Sequence, residues 1–172
     1  MSAKISLLEA AAALARSDGV TALGVERVIQ KAGVSKGAFF YHFTNKEEMV
    51  RALLDHVMER CMRSVNEAVA GGERFTDAFV NMVIGEVRDN GALIAVLVAS
   101  VSLDPVLKET LTERRQNARS RMVEEDGMSP DQADLLCLAI DGAMIGTVLY
   151  KGAVSAERTE MIESTLRRLL PD

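Results

Sequence analysis

A tight break between two short helical patterns near the N-terminus restricts the fold most. Residues 25–32 carry apolar side chains at the spacing i, i+3, i+4 and i+7, which marks one face of a two-turn helix. Gly33 then allows the chain to reverse sharply, and Ser35 can cap a second helix that begins near residue 36. Two short helices joined by such a turn form a helix-turn-helix, in which the second helix enters the major groove of DNA.

Helical periodicity dominates the rest of the chain as well. No segment alternates convincingly at period two, and Gly, Asn and Pro separate the periodic segments. We therefore predict an all-α fold of about nine helices, at residues 3–17, 25–32, 36–42, 46–70, 74–88, 91–102, 105–125, 131–151 and 156–169.

The charge is distributed unevenly along the chain. The whole protein has a formal net charge of -5, which argues against a general nucleic-acid binder. Residues 27–46, however, contain Arg27, Lys31, Lys36 and Lys46 and no carboxylate. A basic pole on an acidic body indicates a small DNA-reading head, although charge runs are often only solvated faces.

The third predicted helix divides into two faces at 100° per residue. Phe39 and Phe43 are i, i+4 partners and are expected to point into the core. Four aromatic residues within five positions cannot all face one core, so Tyr41 must point largely outward. The outward and flanking positions, together with the lysine that opens the next helix, give the predicted DNA-binding residues Lys36, Gly37, Ala38, Phe40, Tyr41, His42 and Lys46.

Residues 32–43 (AGVSKGAFFYHF), followed by Asn45-Lys46-Glu47, closely resemble the signature of the tetracycline-repressor (TetR) family. The resemblance covers about residues 5–52. It implies a helix-turn-helix DNA-binding domain over residues 1–45 and a helical ligand-binding and dimerisation domain over residues 46–172. It also implies a homodimer that binds a palindromic DNA operator and is released when a small-molecule effector moves the fourth helix.

Three positions depart from the family pattern because they lack a hydroxyl group. Gly24 stands where a Ser or Thr usually caps the second helix, Ala38 where a Thr is usual, and Phe40 where a Tyr is usual. These departures predict fewer phosphate contacts and leave the fold intact.

The body offers candidate residues for an effector pocket and a dimer interface. Nine methionines and few aromatic residues favour an adaptable apolar cavity. The pocket candidates are Met58, Met62, Asn81, Met82, Ser100, Met122, Asp141 and Met144. For each one taken separately, plain core packing is the simpler explanation, and Asp141 also fits a surface residue or an interface cap. Small residues on the eighth helix and apolar residues on the last two helices give the interface candidates Leu135, Gly142, Gly146, Leu149, Ile162 and Leu166, which also fit a monomer core.

Other functions find little support in the sequence. Cys61 and Cys137 lack metal-type spacing, and no nucleophile–base pair or phosphate loop appears, so we expect no enzyme activity, metal or cofactor. The longest apolar run, residues 92–102, is about half the length of a membrane span, so we expect a cytoplasmic protein without a membrane partner. The remaining rival is a helical dimer that sequesters a ligand without recognising an operator.

Overall fold

A computed structural model describes residues 2–19, 23–88, 105–149 and 155–170, with only the backbone described at 105–108 and 147–149. Every regular element in these ranges is a helix, which confirms the all-α prediction. The helices are α1 (Ala3–Asp18), α2 (Val25–Ala32), α3 (Lys36–His42), α4 (Lys46–Ala70), α5 (Phe75–Arg88), α6 (Pro105–Glu124), α7 (Pro130–Leu149) and α8 (Ala156–Arg168). The predicted helix at 91–102 lies outside the described residues. So does residue 151, where the helix predicted at 131–151 was expected to end.

Side-chain caps fix the starts of the N-terminal helices. The Ser35 hydroxyl accepts a hydrogen bond from the Ala38 amide at 3.1 Å, and the Asn45 side chain accepts one from the Glu48 amide at 2.8 Å. Between α2 and α3, Gly33 has a φ of 66°, in the left-handed region that glycine adopts without strain. These local signals explain why α2, α3 and α4 have the predicted bounds.

The first apolar core joins α1 to α4. It buries Leu7 and Leu14 of α1, Val28 of α2, and Phe39 and Phe43 at α3. It also buries the first half of α4 as far as Cys61, so this core crosses the predicted domain boundary at residue 45. The fourth helix is therefore part of both regions of the chain. We refer to the region around the first core as the head and to the remainder as the body.

The second core joins the end of α4 to α5, α6, α7 and α8. Its fully buried members include Val65, Phe75, Met122, Leu136 and Leu166. One side chain of the α6–α7 connection binds the start of α5 beside this core. The Asp126 carboxylate accepts hydrogen bonds from the amides of Phe75 and Thr76, at 3.2 and 2.5 Å, and from the Thr76 hydroxyl. Asp126 thereby caps the start of α5, whose first amides have no partner within the helix.

Charged and polar pairs connect the body helices at the surface. Arg119 binds Asp134 through two nitrogens, at 2.5 and 2.9 Å, which ties α6 to α7. At the start of α7, Ser129 and Gln132 form a reciprocal capping box, ahead of the helix that begins at Pro130. Among the described residues, no helix has the length and hydropathy that a membrane crossing requires.

Candidate nucleic-acid interface

The third helix is held against the head by its two inward phenylalanines. Phe39 is fully buried and Phe43 is 2% exposed, as the angular argument predicted. Their ring centroids are 5.5 Å apart. Because α3 has only seven residues, this buried pair and the Ser35 cap determine which way its other face points.

The opposite face of α3 is open. Tyr41 is 84% exposed and Phe40 is 50% exposed. Lys36 and Gly37 are also exposed, whereas Ala38 and His42 are half-buried. Both exposed rings contact a neighbouring ring edge to face. The ring centroids are 4.9 Å apart for Tyr41 and His42 and 5.3 Å apart for Phe40 and Phe39.

Lys46 lies at the first residue of α4, directly beside this face in sequence, and is half-buried. The nearby Glu48 carboxylate is turned toward Thr44, whose hydroxyl and amide both donate to it at 2.7 Å. These two hydrogen bonds hold the pKa of Glu48 below its usual range. The carboxylate is therefore engaged by the connection that precedes α4, which orders the segment around Lys46.

One member of the predicted basic window is paired within the head. The Arg27 guanidinium donates to Asp18 at 2.5 Å, and this hydrogen bond lowers the pKa of the Asp18 carboxyl. Sequence reasoning missed the pair because Asp18 lies nine positions upstream, on another helix. Gly24 begins α2 without a side-chain cap, which agrees with the loss of a hydroxyl noted at that position.

Within the described residues, the predicted effector residues lie at different places in the body and at the edge of the head. Met122 is fully buried in the second core, while Met58 and Met82 pack at the edge of the first core and Met144 at the edge of the second. Asn81 is exposed and accepts a hydrogen bond from Arg167 at 3.1 Å on the α5–α8 surface, so its place in an effector pocket stays a prediction. Ser100 lies outside the described residues.

Asp141 does not have the buried position that would demand a ligand. Its side chain is 48% exposed and lies 2.9 Å from the Arg115 guanidinium on α6, so it behaves as a surface ion-pair partner. Partial burial raises the pKa of its carboxyl, and Arg115 opposes that effect. The surface alternative considered for this residue is the one that the structure favours.

Sequence reasoning missed an open groove between α4 and α6. Its volume is about 470 Å³, and its lining includes Met62 and several charged or polar residues, namely Glu59, Arg63, Asn66, Glu67 and Arg114. Polar residues at 59, 63, 66 and 67 recur at helical spacing along α4. That stripe could have located the groove, but not the contribution of α6. Within the described ranges, the groove included, no group of three His, Cys, Asp or Glu side chains could hold a metal ion.

The predicted interface residues divide between the surface and the core. Leu135 is 53% exposed, Gly142 is exposed, and Gly146 and Ile162 are half-exposed. Leu166 is 1% exposed and packs into the core of the chain, where it lines a groove of about 270 Å³ between α7 and α8, so its part in a dimer interface stays a prediction. The side chain of Leu149 lies outside the described residues. Other large apolar side chains on the same helices are at least half-exposed, namely Leu138, Ile145 and Met161.

A three-helix head with an exposed second helix of a helix-turn-helix, followed by a helical body, defines the class of helix-turn-helix DNA-binding proteins. A family model described as "Bacterial regulatory proteins, tetR family" matches residues 7–53. A second model, "Tetracyclin repressor-like, C-terminal domain", matches residues 73–171, more than half of the chain. The chain therefore belongs to the TetR family, whose members are DNA-binding transcription regulators rather than enzymes.

Individual relatives agree with this assignment. The HTH-type transcriptional regulator TtgR of Pseudomonas putida is 38% identical over 56 residues, a match that spans 33% of this chain and 27% of TtgR. A TetR-family regulator of Streptomyces coelicolor has the same fold, with a TM-score of 0.73, 20% identity and coverage of 98% of this chain and 86% of that chain. The multidrug binding protein EbrR, solved with ethidium, has a TM-score of 0.70 at 19% identity, with 98% of each chain covered.

Proposed function

We propose that this TetR-family regulator represses transcription by binding a palindromic operator as a homodimer, and that a small-molecule effector releases it. The observation that carries the proposal is the outward face of α3, where Tyr41 is 84% exposed while Phe39 and Phe43 anchor the opposite side. A helix held in this way can enter the major groove without unpacking the head.

Each exposed group of this interface has a role that its chemistry suits. Lys36, in the first turn of α3, reaches a guanine edge or a phosphate, and the Tyr41 hydroxyl donates to a phosphate. Gly37 and Ala38 let the helix approach closely, and His42 and Phe40 complete its flanks. Lys46 binds a phosphate at the start of α4, where the helix dipole also favours an anion.

Dimerisation is proposed through the exposed apolar side chains of α7 and α8. Leu135, Leu138 and Ile145 project from α7 and Met161 from α8, each more than half exposed in the single chain. Exposed apolar area of this kind is costly in water and marks an interaction surface. A two-fold pairing would cover it and present two heads to two half-sites, which is why the operator is expected to be palindromic.

The route from effector to operator is proposed to run along α4. This helix begins at Lys46 beside the DNA-binding face and ends at Ala70 beside the α4–α6 groove, about 37 Å away at the helical rise. Met82 of the neighbouring helix α5 packs against both apolar cores. A ligand that shifts the body end of α4 would therefore displace the head. EbrR, which shares the fold, was solved with ethidium, and this supports a small-molecule effector here.

Selection from a pool of random duplexes with the full-length chain tests the proposed function. We expect a palindromic sequence to be enriched, and its affinity should fall steeply with salt because bound phosphates release counterions. A chain that enriches no sequence, yet binds small molecules, would instead be a sequestering protein. The feature that favours this second candidate is the exposed Phe40 ring, because it lacks the hydroxyl group that could donate to a phosphate.

A further inference from the structure

Beyond Lys36 at its first residue, the recognition helix has no side chain that reads a purine through a pair of hydrogen bonds. Guanine is read in this way by Arg or Lys and adenine by Asn or Gln. The sequence of α3, KGAFFYH, contains no Arg, Asn or Gln, and its one lysine is at its first residue. The middle of the helix therefore presents mainly apolar groups to the edge of a base.

Neither the backbone conformation nor a neighbouring atom requires a glycine at position 37. Its φ is not positive, and a Cβ added there would meet only the Ser35 hydroxyl oxygen, at 3.8 Å, an ordinary contact. Glycine also weakens a helix relative to alanine. The absent side chain leaves room on the outward face of α3, where the residue is exposed.

Two apolar groups border that room. Ala38 follows directly and contributes a methyl group, and Tyr41 lies one turn along, at i+4 from Gly37 and i+3 from Ala38, so the three share one face. The Tyr41 ring is held by its edge contact with His42 at 4.9 Å. Gly37, Ala38 and Tyr41 therefore form an apolar notch whose floor is the helix backbone.

We propose that this notch receives the C5 methyl group of a thymine in each operator half-site, so that the protein recognises thymine by its methyl group rather than by hydrogen bonds. Thymine is the natural base that presents a methyl group in the major groove, and small or aromatic side chains are its usual contacts. The inference rests on the proposed operator binding and names the base that the site selects.

Deoxyuridine substitution tests the proposal, because deoxyuridine differs from thymidine only by the missing methyl group. In the duplex recovered by selection, each thymine is replaced in turn, symmetrically in both half-sites, and binding is titrated by fluorescence anisotropy. At one symmetric pair of positions we expect about a four-fold loss of affinity per methyl, or about sixteen-fold for the pair, since each buried methyl returns to water. Replacement at the other thymines should have little effect.

Gly37→Ala supplies the matching change in the protein. The added methyl group fills the notch, so operator affinity should fall on the order of ten-fold, as for a mismatched base, and the sensitivity to deoxyuridine should disappear. Gly85→Ala is the control: Gly85 is also helical, and a Cβ there would meet nothing within 4 Å. Both variants should melt at or above the temperature of the parent.

The outcomes separate this inference from the proposed function. The methyl-reading notch is refuted if the parent binds its operator and every deoxyuridine duplex equally well. It is also refuted if Gly37→Ala binds the operator like the parent. In both cases the proposed operator binding remains supported. If no duplex is enriched at all, both proposals fail.

Discussion

The head and the body are both helical and both bury an apolar core, but they expose opposite kinds of surface. The head presents Lys36 and Tyr41 on a short helix, beside Lys46. The body presents Leu135, Leu138 and further apolar side chains on α7 and α8. The exposed surface of the head therefore suits a polyanion, because it carries cations and hydrogen-bond donors. The exposed surface of α7 and α8 suits another apolar surface.

This difference shows how one continuous helix can serve two partners. The buried side chains of α4 as far as Cys61 belong to the core of the head, and Val65, nearer the end of the helix, belongs to the core of the body. A ligand in the α4–α6 groove, as proposed, would contact the same helix that carries Lys46. The comparison predicts that damage to either core acts on stability, while damage to the exposed face of the head acts on DNA binding alone.

Phe43→Ala should have the largest effect on stability. Phe43 is 2% exposed and packs on Phe39, so its truncation leaves a cavity that should lower the free energy of unfolding by about 3–5 kcal/mol. Phe40→Ala, a residue of the same type that is half-exposed, is the control and should cost less than about 1 kcal/mol. Urea unfolding measures both, and equal losses would contradict the division of α3 into two faces.

Asp126→Ala should destabilise the body by about 1–3 kcal/mol. The substitution removes the acceptor of two amides and one hydroxyl at the start of α5, and Thr76 is buried there. The neighbouring Glu125→Ala, which loses only a surface pair with Arg121, should cost much less. Thermal melting of the two variants compares them, and equal melting temperatures would show that Asp126 is not the cap that holds α5.

The smallest expected effect is a pH dependence at the contact between α1 and α4. The hydrogen bond of His56 to Glu9, at 2.8 Å, holds the pKa of the Glu9 carboxyl below its ordinary value of 4.5. A lowered pKa means that the stabilisation is present above pH 4.5 and is lost as the pH falls through the pKa of the folded state. Because the Glu9 side chain is 44% exposed, solvent screens the pair, and its contribution should stay below about 1 kcal/mol.

Glu9→Gln makes that dependence measurable. The difference in melting temperature between the parent and the variant should shrink as the pH is lowered from about 6 to about 3. A difference that stays constant, or grows in acid, would mean that the ionised Glu9 carboxylate does not support the head.

The head was predictable because its signals are local. The Ser35 and Asn45 caps lie within three residues of the amides they bind, and the inward pair Phe39 and Phe43 follows from helical periodicity. The family resemblance of residues 32–46 reinforced the same elements. A contact between neighbouring residues of one helix needs no knowledge of how helices pack.

The candidate sites of the body were less predictable because they depend on packing between distant segments. Asp126 caps an amide 50 positions away, and no local pattern indicates that bond. Asp141 was expected in an apolar environment, but its direction depends on Arg115 of another helix. Asn81 likewise faces Arg167. Periodicity identified the apolar face of each helix but not its neighbour.

The most direct test of the central claim is the operator affinity of Tyr41→Ala and Lys46→Ala, each measured over a range of salt concentrations. Each variant should bind on the order of ten-fold more weakly, and Lys46→Ala should reduce the salt slope by about 1. Both should melt like the parent, and Arg88→Ala, which removes a 61% exposed cation of the body, should bind like it. If both head variants bind the operator as tightly as the parent, the outward face of α3 is not the DNA-binding surface.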